Sequence, residues 1–555
     1  MKDLKNGKTV KIISGQSERA FMTGVLLLSA STVIVKVIGL AYKIPLLSIL
    51  GAEGMGYFNS AYEIYAMLCV ISTAGMPTAL SILISGARER GDVLGAERIY
   101  RTSFAVLSGL GLVGSSGLCA LARPVAAAIG NPDAYYCILA VSPALFFACA
   151  SGAVRGYFQG CRNMLPTALS QLAEALGKLL LGVSLAAWAK SRGMSVPAAS
   201  AFAVLGLVIG SAVSTLYLLA LKLADKRKNK VLLLDDSRFE RGEHTLTNVL
   251  RIAFPITLGA SLLGATRVID MTLIMRRLQD IGISTAAANE IYGSYTTLAL
   301  PVFSLVPALA TPISESLIPR LSAAVETGET GEQRAAVEKS LRLTALIALP
   351  ASMGIVLYSK QILGLIFSEQ TKAIAIASPL LSALGASVLF SCLITATNAI
   401  LQAYRRVMLP IASMAVGAIV KTASAYFLIG SVGVGELGAP ISTLLCNVTV
   451  VGINIFFVDR AVPRGTATAK ALIRPFFASI VAIVLSALAY VPVLNITESE
   501  SIAFIAALVC ACAAYFAFAL LFGALRKEDL ASLPIIDKII DKMRARRSDK
   551  YKNKE

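Results

Sequence analysis

A single histidine, His244, occurs in the whole chain, and it falls in a polar stretch. Nine cysteines are scattered along the sequence, mostly in or at the edge of apolar runs, and read as small apolar packing residues. Cys510 and Cys512 are two apart, so on a helix they do not face one another. A His/Cys metal site is excluded on this count, and neither metal nor cofactor is expected. Charge is also scarce: 15% of residues are Asp, Glu, Lys or Arg, against 56% hydrophobic. A water-soluble chain of 555 residues would carry more charge and less apolar surface. No phosphate-binding loop of the ATPase type is present, and the Gly109, Gly111, Gly114 pattern follows no strand, so it reads as close helix packing.

Apolar runs of about 20 residues recur throughout, each long enough to cross a hydrocarbon core of roughly 30 Å. The expected fold is an all-α polytopic membrane protein with about fourteen transmembrane helices. They are placed at 21–50, 57–86, 102–126, 132–155, 166–189, 197–221, 250–276, 286–318, 340–366, 374–402, 410–431, 436–458, 471–494 and 501–525. The first run is too long for a signal-peptide core and is read as a retained membrane helix. With both termini cytoplasmic, the inner segments carry 39 of the 51 basic residues and the outer loops seven. That asymmetry follows the positive-inside rule. It also explains much of the +18 net charge without nucleic acid, leaving membrane lipids as the partners of the basic loops.

Two loops repeat. CRNMLPTA (Cys161–Ala168) and RRVMLPIA (Arg405–Ala412) both end in Met-Leu-Pro and open a helix, with proline where the first turn tolerates it. Lys36-Val-Ile likewise matches Arg267-Val-Ile. Helices 1–6 therefore pair with 7–12 in a parallel repeat about an axis along the membrane normal. The expected organisation is an N-tail (1–20), an N-lobe (21–221), a cytoplasmic linker (222–249), a C-lobe (250–458), two extra helices (471–525) and a basic tail (526–555). The tail stretch PIIDKIIDKMRARR reads as a helix lying on the inner surface. Gly75 with Pro77, and Pro301, Pro307 and Pro312, mark kinks.

Five basic residues remain inside the expected spans: Lys36, Lys43, Lys178, Arg267 and Lys421. An ionisable group inside the membrane is costly and usually faces a pathway. Lys36 and Lys43 are seven apart and share a helix face, although Lys43 is near enough the outer end to reach the interface. The repeat pairs Lys36 with Arg267, and Lys178 approximately with Lys421. Glu174 and Lys178 are four apart and Arg267 and Asp270 three apart, spacings that favour pairs within one helix, either fixed or opened by ligand. Lys421 has no acid at three or four positions, and Glu63 is either an unpaired acid or a counter-charge to Lys36 or Lys43. Five bases against three acids (Glu63, Glu174, Asp270) make a net cationic cleft suited to a phosphate-bearing ligand.

The stretches LGAEGMGYFNSAYEIY (Leu50–Tyr65), SQLAEALGK (Ser170–Lys178) and LQAYRRVMLP (Leu401–Pro410) resemble the polysaccharide-biosynthesis branch of the multidrug/oligosaccharidyl-lipid/polysaccharide (MOP) exporter superfamily. The likeness is greatest to MurJ-like lipid II flippases and the stage V sporulation protein B group. It implies two lobes that alternate access to a cationic central cavity, and a lipid-linked anionic substrate such as an undecaprenyl-pyrophosphate precursor. Cell-wall synthesis machinery would be the protein partner and a monomer the working unit, in the cytoplasmic membrane. Some MurJ-like proteins carry a further arginine in helix 2, where AMLCVIS (Ala66–Ser72) is wholly apolar here.

Direction would come from an ion gradient, the membrane potential or a downstream reaction, with the coupling ion unidentified. A cation-coupled drug exporter of the same fold would need an acid-dominated cavity. An integral-membrane glycosyltransferase would need acids in an exterior loop, and 492–500 offers only Glu498 and Glu500. The orientation is open to a direct check: in a cysteine-free background, Ser195→Cys should react with an impermeant thiol reagent on intact cells and Arg90→Cys should not. The opposite pattern would reverse the topology.

Overall fold

A computed structural model describes residue 31 and residues 34–73, 75–228, 245–462 and 468–525. The N-tail, the first part of the first expected helix (21–30, with 32 and 33), the core of the linker with His244, and the basic tail lie outside the described residues. The described chain is almost wholly helical, with no strand among the described residues. In chain order the helices are α1 (34–41), α2 (Lys43–Thr73), α3 (Met76–Glu89), α4 (Val93–Ala120), α5 (Ala122–Ala128), α6 (Tyr135–Gly160), α7 (Leu165–Ser191) and α8 (Val196–Lys228). They continue with α9 (Thr245–Asp280), α10 (Thr285–Ser294), α11 (Leu300–Glu326), α12 (Thr330–Ile366), α13 (Thr371–Ala403), α14 (Met408–Ile429), α15 (Gly438–Ala461), α16 (Thr468–Thr497) and α17 (Glu500–Leu521).

Twelve helical spans among the described residues are long and apolar enough to cross a membrane. The count of fourteen is not confirmed among the described residues: the expected span 21–50 is described only at 31 and 34–50, and α9, which matches the expected 250–276, is not among the twelve. Large apolar side chains such as Val113, Leu216, Phe477 and Val509 are exposed, as on a surface solvated by lipid rather than water.

Local chemistry explains the breaks. Gly51 interrupts α2 at φ 71°, ψ 176°, a conformation that a Cβ would penalise, and this is where the first and second expected spans meet. The chain breaks again at Gly75, with Pro77 in the first turn of α3. Asp92 caps α4 by accepting from the Gly95 N–H at 2.5 Å, and Ser284 caps α10 by accepting from that of Ala287.

The two Met-Leu-Pro loops share a backbone as well as a sequence. Arg162 (φ 57°) and Arg405 (φ 58°) both take the left-handed conformation just after a helix end. The N–H of the next residue, Asn163 or Arg406, donates back to Phe158 or Leu401, each at 2.9 Å. Arg162 pairs with Glu89, the last residue of α3, and Arg405 pairs with Glu326, the last residue of α11. Backbone thus aligns Arg162 with Arg405, one position away from the register of the Met-Leu-Pro match.

The helices form two compact units: Met1–Leu298 with Ala425–Ala439, and Ala299–Ser424 with Pro440–Glu555. In the first, α2 packs against α6, α7, α8, α9 and α10, and buries Leu46, Leu47, Met55 and Phe58. In the second, Val337, Leu341, Leu393 and Ile400 form a core between α12 and α13. There the Ser352 hydroxyl donates to the Gly385 carbonyl at 2.6 Å and the Tyr515 hydroxyl to that of Leu346 at 2.7 Å.

The contact between α7 and α8 sets up the site. A Cβ on Gly177 would stand 2.5 Å from the Gly210 Cα, and one on Gly210 would stand 2.8 Å from the Glu174 carbonyl oxygen. These obstacles are backbone and cannot rotate away, so the two glycines let the helices touch. Gly177→Ala is expected to destabilise the folded chain by about 1–3 kcal/mol through overpacking. Gly109→Ala, whose Cβ meets nothing within 4 Å, serves as the control. Thermal unfolding in detergent reads the difference, and equal melting of the two variants would refute the contact.

Candidate functional site

The site is built around α2. Phe58 and Tyr62 lie four apart, so their rings share a face, with centroids 6.4 Å apart. Tyr42, in the turn before α2, brings its ring to 6.1 Å from Phe58. Lys178 reaches into this group from α7. Its Nζ lies 4.6 Å from the Tyr42 ring centroid, 4.5 Å from that of Tyr62 and 5.8 Å from that of Phe58. The ammonium is therefore held by aromatic faces.

The expected pair of Glu174 with Lys178 does not form. Glu174 accepts instead from Arg155 Nη2 at 2.9 Å and from the Ser211 hydroxyl at 3.3 Å. Arg155 also donates to Ser170 at 3.0 Å through Nε and to Ser214 at 3.1 Å through Nη2. One guanidinium therefore ties α6 to α7 and α8. A lysine four residues away on the same helix cannot match a planar donor with several N–H groups aimed at one polar cluster.

Lys43 is engaged differently. Its Nζ donates to the Thr296 carbonyl at 3.0 Å. Thr296 lies in a single π-turn, Tyr295–Ala299, between α10 and α11. Such a turn disturbs the regular α-helical pairing and recurs at functional sites. Asn59 Nδ2 donates to the hydroxyls of Thr296 at 2.8 Å and Thr297 at 2.9 Å. Nearby, Asn131 and Asn289 exchange side-chain hydrogen bonds of 2.8 and 3.0 Å, and Asn131 also donates to Ser60. Lys43 is thus tied to the backbone of the π-turn.

Glu63 lies within electrostatic reach of Arg267, Lys43 and Asp270, and Lys43 within reach of Lys178. Six of the eight expected charges, Lys43, Lys178, Arg267, Glu63, Glu174 and Asp270, thus gather on α2, α7 and α9 of the first unit. Lys36 is exposed on α1. Helical bonding runs on through Tyr42, whose N–H donates to Ile38 and whose carbonyl accepts from Leu46, so Lys36 and Lys43 belong to one helical run. Lys421 lies half-buried on α14, in the second unit.

Two charged residues at the edges of expected spans lie well inside helices. Arg155 ends the expected span 132–155, but α6 continues to Gly160. Lys222 begins the expected linker, but α8 continues to Lys228, and Lys222 is buried. Its Nζ lies 2.7 Å from Glu97 and 3.4 Å from the Tyr157 ring centroid, while the Tyr157 hydroxyl donates to Asp225 at 2.8 Å. The signal was in the sequence. Arg155 is followed by Gly-Tyr-Phe and Lys222 by Leu-Ala, which extend the apolar pattern past each base. Asn59, an uncharged polar residue in a helical run, carried no comparable mark.

Family models place the chain. A polysaccharide biosynthesis protein model matches residues 21–325, and a lipid II flippase MurJ model matches residues 177–514. Stage V sporulation protein B of Bacillus subtilis (strain 168) is 24% identical over 527 residues, covering 94% of this chain and 99% of that protein. Lipid II flippase MurJ of the same organism is 24% identical over 421 residues, covering 72% of this chain and 76% of that one. A solved lipid II flippase MurJ in an inward closed conformation superposes with a TM-score of 0.65 at 14% identity, covering 90% of this chain and 98% of that chain. The chain is a multi-pass membrane protein that belongs to the polysaccharide biosynthesis protein and lipid II flippase MurJ families.

Proposed function

We propose that this protein is a flippase that carries an undecaprenyl-pyrophosphate-linked cell-wall or polysaccharide precursor, lipid II first among them, from the inner to the outer leaflet of the cytoplasmic membrane. The observation that carries the proposal is the state of two ammonium groups. Lys43 rests on a backbone carbonyl and Lys178 on aromatic rings, and neither forms an ion pair among the described residues. Their positive charge is not cancelled by a bonded carboxylate, and a pyrophosphate provides the missing anion. The family match and the curated relatives supply the substrate class.

On this reading the repeated halves act as two lobes (21–221 and 250–458) that alternate access. Lys36, Lys43, Lys178, Arg267 and Lys421 receive the pyrophosphate, while Glu63, Glu174 and Asp270 serve as counter-charges or coupling groups. The lipid tail stays in the membrane, so transport requires only the polar head to cross a bonded, water-lined path. No bond of the substrate is made or broken. A drug exporter for cations is disfavoured because cations would be repelled by the same two ammonium groups.

Depletion of the protein in its native host should cause undecaprenyl-linked precursor to accumulate on the inner leaflet, measured leaflet by leaflet. If no such intermediate accumulates, the flippase reading fails. Lys36→Ala, Arg267→Ala and Lys421→Ala should each lose complementation by about tenfold or more in viable count at normal protein level. Full activity from all three would remove the cationic path.

A further inference from the structure

Glu174 and Lys178 stand in the order and spacing that favour an ion pair on one helix, acid four residues before base. The pair is nevertheless not made, because Glu174 is bonded to Arg155 on the neighbouring α6. We propose that Arg155 is a positioning residue that holds Glu174 away from Lys178, so that the Lys178 ammonium stays available in its aromatic setting for the phosphate groups of the substrate. This rests on the flippase reading above and extends it to a residue that touches no ligand itself.

The geometry supports the assignment at three points. Arg155 is anchored independently of Glu174, by Ser170 on α7 and Ser214 on α8, so its guanidinium is already aimed when the carboxylate meets it. Glu174 is held from the other side by Ser211 on α8. Lys178 has rings and no carboxylate in bonded contact; Lys43 and Glu174 are its charged neighbours, and Glu174 acts on it only through space. The charge sum over Arg155, Glu174 and Lys178 is the same whichever cation takes the acid; what Arg155 controls is where the surplus charge sits. With Glu174 on Arg155, the surplus lies among Tyr42, Phe58 and Tyr62, where aromatic faces hold it without a bonded anion. With Glu174 on Lys178, it would lie between α6, α7 and α8, where Ser170 and Ser214 accept from two of the guanidinium's five N–H groups and supply no negative charge.

The proposal separates charge placement from packing by a double variant. Full-length protein in detergent is titrated with inorganic pyrophosphate, and complementation of the depleted host is scored in parallel. Arg155→Met frees Glu174 to neutralise Lys178 and should weaken pyrophosphate binding by about tenfold or more. Glu174→Gln removes an acid that already lies on Arg155 and should leave binding within about threefold of the unmodified chain. The double variant Arg155→Met/Glu174→Gln should return to within about threefold of the unmodified chain, since Lys178 is again unopposed.

If Arg155 only braces the helices, the double variant will bind no better than Arg155→Met, and that result overturns the positioning role. Should Arg155→Met fail to accumulate, Arg155→Gln takes its place, alone and with Glu174→Gln, and recovery or its absence in that pair decides. Failure of the flippase reading looks different: the unmodified chain would then not bind pyrophosphate at all, and the positioning role would fall with it. Binding by the unmodified chain without recovery in the double variant would leave the flippase reading standing and remove only Arg155.

Discussion

An ammonium group inside a membrane-spanning helix must be solvated by something, and the first unit of this protein is arranged around how that is done for Lys178. Removing an ion from water costs several kcal/mol even after relaxation. A cation–π contact returns about 0.5–2 kcal/mol. Two close rings and a more distant one therefore offset part of the cost of holding Lys178 and leave a residual demand for an anion. The residue best placed to meet that demand, Glu174, is committed elsewhere. A cation that is solvated but not neutralised is what a reversible anion site requires, because a permanent ion pair would have to be broken before each binding event.

The surrounding architecture follows from that constraint. The glycine contact between α7 and α8 brings Ser211 and Ser214 close enough to share Glu174 and Arg155. The interruption at Gly51 separates the run that carries Lys43 from the one that carries Phe58, Tyr62 and Glu63, so both can contribute to one region. Asn59 and Lys43 then fasten α2 to Thr296 through a hydroxyl and a carbonyl, neither of them an anion. The tie engages the Lys43 ammonium without neutralising its charge.

The all-α membrane fold was legible from composition and run length, because bilayer thickness imposes a minimum length that few other structures share. The intramembrane bases were legible because they are rare. The partner of Glu174 was not, since sequence spacing speaks only of neighbours on the same helix, and Arg155 comes from a different one. The ends of α6 and α8 were also set too early. A basic residue was read as the start of water, whereas Arg155 and Lys222 each find a carboxylate and stay within helix. The repeat was visible as Met-Leu-Pro, yet its register was fixed only by the left-handed arginines, a property of backbone that no residue match contains.

The π-turn that opens at Tyr295 bears on how α2 is seated in the first unit. A π-turn inserts one residue beyond what the helical repeat requires and loosens the backbone pairing where it falls. Thr296 and Thr297 lie in it, and their two consecutive hydroxyls accept from the one Asn59 amide while the Thr296 carbonyl accepts from Lys43. The inserted residue turns a stretch of helix into a socket, a place where backbone and side chain together receive two residues of another helical run.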